Sequence, residues 1–140
     1  MKLTKATIFK YKGVENEQAF SIEPDITVLV GMNESGKTSL LEALAKVNYF
    51  EDDNDFIFNK THDYPRKQKK MADKSPTPID AVTLEYSVDK ALIDEIEADI
   101  LIPFKMKAVT YTKKYDNQGS FSTLHVSLKT FLKRSCLRQV

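Results

Sequence analysis

Cysteine is nearly absent from this chain. The single one, Cys136, has no partner for a disulfide within the 140 residues. The fold must therefore be held by packing alone, which suits a reducing compartment. No apolar run approaches the ~20 residues that cross a bilayer. No apolar stretch follows Met1-Lys2-Leu3-Thr4-Lys5 as a secretion signal would require. The expected location is the cytoplasm, with no membrane partner. Net charge is small as well: 21 Lys and Arg against 20 Asp and Glu leave +1. Global charge thus argues for neither nucleic-acid nor membrane binding. The two histidines, His62 and His125, are far apart with no cysteine nearby, which excludes a zinc-ligand pattern. No internal repeat is visible. What remains is 41% hydrophobic and 29% charged, the composition of one soluble globular domain at most.

One stretch carries a chemical signature. Residues 26–30, Ile-Thr-Val-Leu-Val, are apolar and β-branched, as a buried strand should be. Residues 31–38, Gly-Met-Asn-Glu-Ser-Gly-Lys-Thr, form a complete G-x-x-x-x-G-K-[ST] match. A helical pattern follows, with Leu40, Leu41, Leu44 and Val47 expected on one face. Strand, glycine loop and helix in this order form a polyphosphate cradle. Gly31 and Gly36 permit a sharp backbone and close approach. The helix N-terminus aims unpaired N–H groups and a partial positive charge at the anion. Lys37, the one candidate catalytic residue, is expected to reach the β- and γ-phosphates. The Thr38 hydroxyl is expected to ligate Mg²⁺. The expected nucleotide-binding set is Gly31, Asn33, Glu34, Ser35, Gly36, Lys37, Thr38 and Ser39, with ATP and Mg²⁺ as ligands.

Around this core the chain reads as α/β. Residues 2–11 alternate as a first strand, Lys12-Gly13 ends it, and residues 19–22 form a second, closed by Glu23-Pro24-Asp25. With residues 26–30 as a third strand, the opening is a β-meander ending in the phosphate loop. An acidic cluster occupies residues 51–55, and residues 56–58 are either a short strand or a buried plug. Residues 59–81 read as one long polar loop. Residues 82–88 alternate strictly as a half-exposed strand. Asp89 is a candidate N-cap for a helix carrying Ala91, Leu92, Ile93, Ile96 and Ile100, which Pro103 stops. Residues 104–112 and 121–126 form a hairpin about the turn at 116–119. A closing helix is expected from Ser127 onward.

Other motif-like stretches have plainer readings. Residues 91–95, Ala-Leu-Ile-Asp-Glu, imitate the acidic strand that holds Mg²⁺ and water, but their apolar spacing continues as an amphipathic helix. Residues 59–63, Asn-Lys-Thr-His-Asp, have one residue too many for a guanine-reading N-K-x-D. Residues 116–119 match D-x-x-G but in the wrong order for a GTPase. The basic run at 66–70 reads as a solvated loop in preference to a phosphate-tracking surface. Gln68 and Gln118 are both candidates for a Mg²⁺-sensing glutamine.

The opening resembles a branch of P-loop ATPases. Lys10-Tyr11-Lys12 followed by V-L-V-G-M-N-E-S-G-K-T-S-L-L-E-A-L at residues 28–44 is similar to the RecF/SMC/OLD-type ATPases of the ATP-binding-cassette class, often grouped with AAA family ATPases. The Asn-Glu-Ser-Gly-Lys-Thr core is most similar to OLD-like ATP-dependent nucleases, and residues 63–67 also resemble that group. The likeness covers residues 1–48 and extends towards 67. It implies a mixed sheet with the Walker A helix packed on it, plus a later strand–helix–hairpin segment. It also implies ATP and Mg²⁺ binding, head-to-head dimerisation around nucleotide, and a role in DNA repair, DNA processing or phage defence, with DNA contacted through the full-length protein. By position, Lys12 matches a basic residue lying near the nucleotide in relatives, and Asn33 and Ser35 match phosphate-cradling loop residues. The departures are specific: no L-S-G-G signature, no Walker B strand, no switch histidine and no nuclease domain. The expectation is therefore an incomplete ATPase head of one partial domain, residues 1–140, that binds ATP and hydrolyses it only with parts from a missing C-terminal half or partner. Alternatives are a non-enzymatic remnant or interaction domain and, less favoured, a small P-loop kinase or GTPase.

Overall fold

Alternating side chains at both ends of the chain meet in one antiparallel sheet. The computed structural model describes residues 1–32, 36–48, 56–100 and 106–124. Its strands are β1 (Lys2–Ile8), β2 (Gln18–Ser21), β3 (Asp80–Ser87), β4 (Ala108–Lys114) and β5 (Gly119–Leu124). Its helices are α1 (Lys37–Asn48), α2 (Lys60–Asp63), α3 (Lys69–Asp73) and α4 (Lys90–Ile100), with a 3₁₀ turn at Arg66–Gln68. The sheet order is β2-β1-β3-β4-β5, every pairing antiparallel. The α/β class and the two terminal strand pairs stand as the alternation implied. The expected acidic cluster at 51–55, the helix stop at Pro103 and the closing helix from Ser127 lie outside the described residues, as do His125 and Cys136.

The period of two sorts the sheet into unlike faces. Phe20, Ala6, Leu84, Tyr111 and Phe121 oppose one another across all five strands, while the neighbouring row is Ala19, Thr7, Thr83, Thr112 and Ser120. The Thr83 and Thr112 hydroxyls share a hydrogen bond of 2.8 Å on the polar face. Helix α1 belongs to the apolar side. Ala43 and Val47 join Ala6, Ile8, Val82 and Leu84 in the core, with Leu40 and Leu44 packed against it. Each large aliphatic side chain so covered contributes roughly 1.5–3 kcal/mol. The buried stripe of α1 is thus Leu40, Ala43, Leu44 and Val47, at i, i+3, i+4 and i+7. Leu41, expected on it, is 57% exposed, because it lies about 100° round the helix from Leu40.

Residues 26–30 are not a strand. Ile26, Val28 and Val30 are 76%, 72% and 90% exposed. β1 pairs with β2 on one side and β3 on the other, so residues 26–30 do not join the sheet beside β1. A run apolar on both faces needs cover on both, and no described element supplies it.

Residues 59–81 carry more order than a polar loop. Asn59 caps α2 by accepting from the Thr61 N–H at 2.8 Å. Asp63, Tyr64, Pro65 and Ala72 are buried. Of the two readings of residues 56–58, Phe58 is a plug: it is 2% exposed. The Asn117 side chain accepts from its N–H at 2.7 Å and donates to its carbonyl at 2.9 Å. Asn117 sits in the β4–β5 turn at φ 63°, a conformation asparagine tolerates. Phe58 packs edge-on against Tyr11 and Tyr115, with centroids at 6.0 and 5.5 Å. Asp89 takes the helix-start position through its carbonyl, which accepts from Ile93 N–H at 3.2 Å. Its carboxylate pairs with the Met1 ammonium at 3.0 Å.

The hydroxyls of two buried tyrosines, Tyr11 and Tyr115, differ. Tyr115 Oη donates to the Lys10 carbonyl at 2.5 Å, whereas Tyr11 Oη has no partner among the described residues. Tyr115→Phe should therefore cost about 1 kcal/mol and Tyr11→Phe distinctly less, as read from urea midpoints. Burial first, and the Asp63 carboxylate second, push both hydroxyls well above the ordinary tyrosine value of 10.0. In the unfolded chain they ionise near that value, so the unfolded state loses protons first. Stability should hold below about pH 10 and fall above it. A double Tyr11→Phe, Tyr115→Phe variant should show a shallower alkaline decline.

Candidate nucleotide-binding loop

The phosphate-loop motif begins outside the sheet and ends at the first turn of α1. Gly36 has φ +86°, in the region where a Cβ is strained, and its carbonyl accepts the first helical bond from Leu40 N–H at 3.0 Å. Helix α1 starts at Lys37 with no acidic side chain in its first turn, so nothing there offsets the positive end of the helix. Thr38 is exposed and Ser39 half-buried in that turn. The Lys37 ammonium folds back and donates to the carbonyls of Gly31 and Met32, both at 2.6 Å. The structure thus brings together Gly31, Gly36, Lys37, Thr38 and Ser39. Asn33, Glu34 and Ser35 lie outside the described residues.

The turn after β1 packs beside this loop. Tyr11 and Val14 close it with reciprocal backbone bonds of 3.1 and 2.7 Å. Lys12, at φ 48°, occupies the left-handed region without being glycine. The Val14 side chain lies 3.6 Å from where a Cβ on Gly36 would stand, an ordinary contact that leaves strain, not clash, as the reason for glycine there. The Lys12 ammonium pairs with Glu42 of α1 at 2.5 Å, both side chains 42% exposed. An open groove of about 360 Å³, lined by Gly13, Val14, Glu15, Asn16, Gln18 and Leu40, runs between this turn and α1.

The donor set suits a polyphosphate: a helix N-terminus, an ammonium, two hydroxyls and a left-handed glycine, with no carboxylate in the first turn. A hard cation such as Mg²⁺ takes oxygen ligands, and Thr38, exposed in the first turn of α1, carries a hydroxyl of that kind. Among the described residues no His, Cys, Asp and Glu cluster could hold a metal by itself.

The rival motifs fall into plainer places. Asp94 and Glu95 are exposed on α4, while Leu92, Ile93 and Ile96 are half-buried, the amphipathic pattern expected. Residues 59–63 form the capped start and body of α2. Asp116 accepts from Gln118 N–H at 3.0 Å within the β4–β5 turn. Gln118 is therefore a turn residue. Gln68 is closer to the site: its amide donates to the Glu15 carbonyl at 3.1 Å, and its buried Oε1 has no partner among the described residues. In the basic run, Lys67 pairs with Glu15 at 2.8 Å.

One feature was not readable from spacing. Asp63, 3% exposed, pairs with Lys46 of α1 at 2.7 Å. The only local signal was an acidic residue followed directly by Tyr64-Pro65, in a stretch otherwise polar. Its partner lies 17 positions earlier.

Comparison with known proteins agrees with the motif. The AAA ATPase domain family matches residues 1–133. A chain solved in a study of ATP-driven dimerization and DNA-stimulated activation of SMC ATPases is similar, with a TM-score of 0.42 and 16% identity, over 95% of this chain and 76% of that one. Among curated proteins no relative matches. No helix among the described residues is long and apolar enough to cross a membrane. On the match over residues 1–133, the chain belongs to the AAA ATPase domain family, a family of nucleotide-binding ATPases.

Proposed function

We propose that this chain binds ATP with Mg²⁺ through residues 31–39. The observation that carries the reading is the left-handed Gly36 leading into an α1 whose Lys37 ammonium folds over the loop carbonyls. Backbone N–H groups of the loop and first helical turn hold the phosphates. Lys37 exchanges the Gly31 and Met32 carbonyls for phosphate oxygens, trading two neutral acceptors for charged ones, which bond more strongly. Asn33, Glu34 and Ser35 complete the cradle, Ser39 supports it from the first turn, and Lys12 stands at its side. Thr38 is the residue that would hold Mg²⁺, which neutralises phosphate charge when bound.

Hydrolysis needs a water-positioning acid and groups for the developing charge. No such acidic strand faces the loop among the described residues. We assign these parts to a further segment or a partner chain, in a head-type dimer or a completed ATPase head. The exposed apolar run at residues 26–30 supports this assignment, since it lacks the cover its composition calls for. DNA repair, DNA processing or phage defence in the cytoplasm is the biological setting proposed for the complete assembly.

Isothermal titration tests the binding reading. Wild-type protein should bind Mg²⁺–ATP, and Lys37→Ala should weaken it by at least about tenfold, or about 1.4 kcal/mol. No heat from wild type, or equal binding by the variant, defeats it. Gly36→Ala should lower stability by about 1 kcal/mol through the strained φ and weaken ATP binding as well. Turnover by the chain alone should be very slow. Brisk hydrolysis would show that the catalytic acid lies within these residues after all.

A further inference from the structure

A buried anion ties together α1 and the Lys12 turn, the two elements beside the phosphate loop. The Asp63 side chain is 4% exposed and that of Lys46 14%. Asp63 Oδ2 accepts from Lys46 Nζ at 2.7 Å and from Asn59 N–H at 2.8 Å. The Asp63 carbonyl accepts from Lys12 N–H at 2.6 Å and from Tyr115 Oη at 3.4 Å. Lys46 also donates to the Ile57 carbonyl at 2.9 Å, and its ammonium lies 5.8 and 6.0 Å from the Tyr11 and Phe58 ring centres. One residue therefore fixes the far half of α1 through its side chain and the Lys12 turn through its main chain. That turn rests on Gly36 through Val14.

We infer that Asp63 is a positioning residue for the nucleotide site, setting α1 and the Lys12 turn in register with each other. This rests on the binding function proposed above. The lever is geometric. Lys46 is nine residues from Lys37, about 13.5 Å along the helix at 1.5 Å per residue. A tilt of about 10° about the Lys46 anchor would carry the helix start by about 2 Å, and a 1 Å misplacement at a reacting centre can cost about 10²-fold. The left-handed φ of Lys12 fits the same picture. Backbone held in a sparsely populated region persists only where surrounding bonds impose it, and the Asp63 carbonyl supplies one of them.

A plain structural staple would also bury an ion pair, so the test separates stability from affinity. Asp63→Asn leaves the Lys46 ammonium unpaired and should lower both the urea midpoint and ATP affinity. Asp63→Asn combined with Lys46→Met removes both charges, a change that often leaves stability intact or improved. In this double variant the urea midpoint should return towards wild type, while the Kd for Mg²⁺–ATP stays raised by about tenfold. Recovery of affinity together with stability would reduce Asp63 to a staple and overturn the inference. If the single variant does not fold, the double variant alone carries the comparison. Amide hydrogen exchange without nucleotide supplies a second readout. In the double variant, residues 11–15 and 36–41 should exchange faster while β3 is unchanged; unchanged exchange in those two segments also overturns it. Should wild type fail to bind ATP, the binding function fails, and the exchange data still decide whether Asp63 positions these segments.

Discussion

The Asp63 carboxylate is the point on which the described structure most depends. A buried charge is costly to desolvate and survives only with a close partner and further hydrogen bonds. Both are present in Lys46 and the Asn59 N–H. Satisfying that one anion forces α1, the start of α2 and residues 56–58 into a fixed mutual arrangement. The Asp63 carbonyl extends it to the Lys12 turn and, more weakly, to Tyr115 at the end of β4. The apolar core alone would not be so particular. Ala43, Val47, Ile8 and Leu84 would pack acceptably over a range of helix positions, since dispersion and burial are non-directional. The polar contacts narrow that range to one.

What the sequence made legible were the features set by local chemistry. The phosphate loop was readable because its residue types and spacing answer one steric and one electrostatic demand, both met within eight positions. Gly36 takes φ +86° and Lys37 heads α1, a left-handed glycine and a helix start at the positions the motif gives them. Strands β1, β2 and β3 and the β4–β5 hairpin followed from period-two alternation, with bounds displaced by a few residues. Helix α4 followed from its period of 3.6, which correctly outweighed the Asp-Glu pair within it. The α1 stripe was misjudged by one residue, Leu41 taken for Ala43. Hydropathy favours the leucine, whereas a close helix–sheet contact leaves room for the smaller alanine.

The misses share one cause. Whether residues 26–30 form a strand depends on neighbours outside the segment, and composition cannot report whether a slot exists. The stretch 59–81 looked like loop because its charged residues outnumber its apolar ones. Tyr64, Pro65, Ala72 and the charged Asp63 are nevertheless buried within it. Nor could the Lys46–Asp63 pair be found, because a Lys and an Asp 17 positions apart pair only in a fold already known. Gln68 was one of two open candidates, and its position beside Glu15, against the turn placement of Gln118, is a matter of tertiary structure alone.

The exposed run and the folded-back lysine have a common origin. With residues 26–30 outside the sheet, the Lys37 ammonium at the head of α1 bonds the Gly31 and Met32 carbonyls that follow them. Under the proposed function, a triphosphate competes for that same ammonium. Binding therefore releases the loop's first residues from the helix unless another contact holds them. Covering residues 26–30 would provide such a contact and would lower the ordering cost of binding nucleotide. Linkage then requires the reverse, that nucleotide favours covering the run by the same free energy. Under the proposed function, ligand and partner are coupled through the exposed residues 26–30 without any dedicated switch.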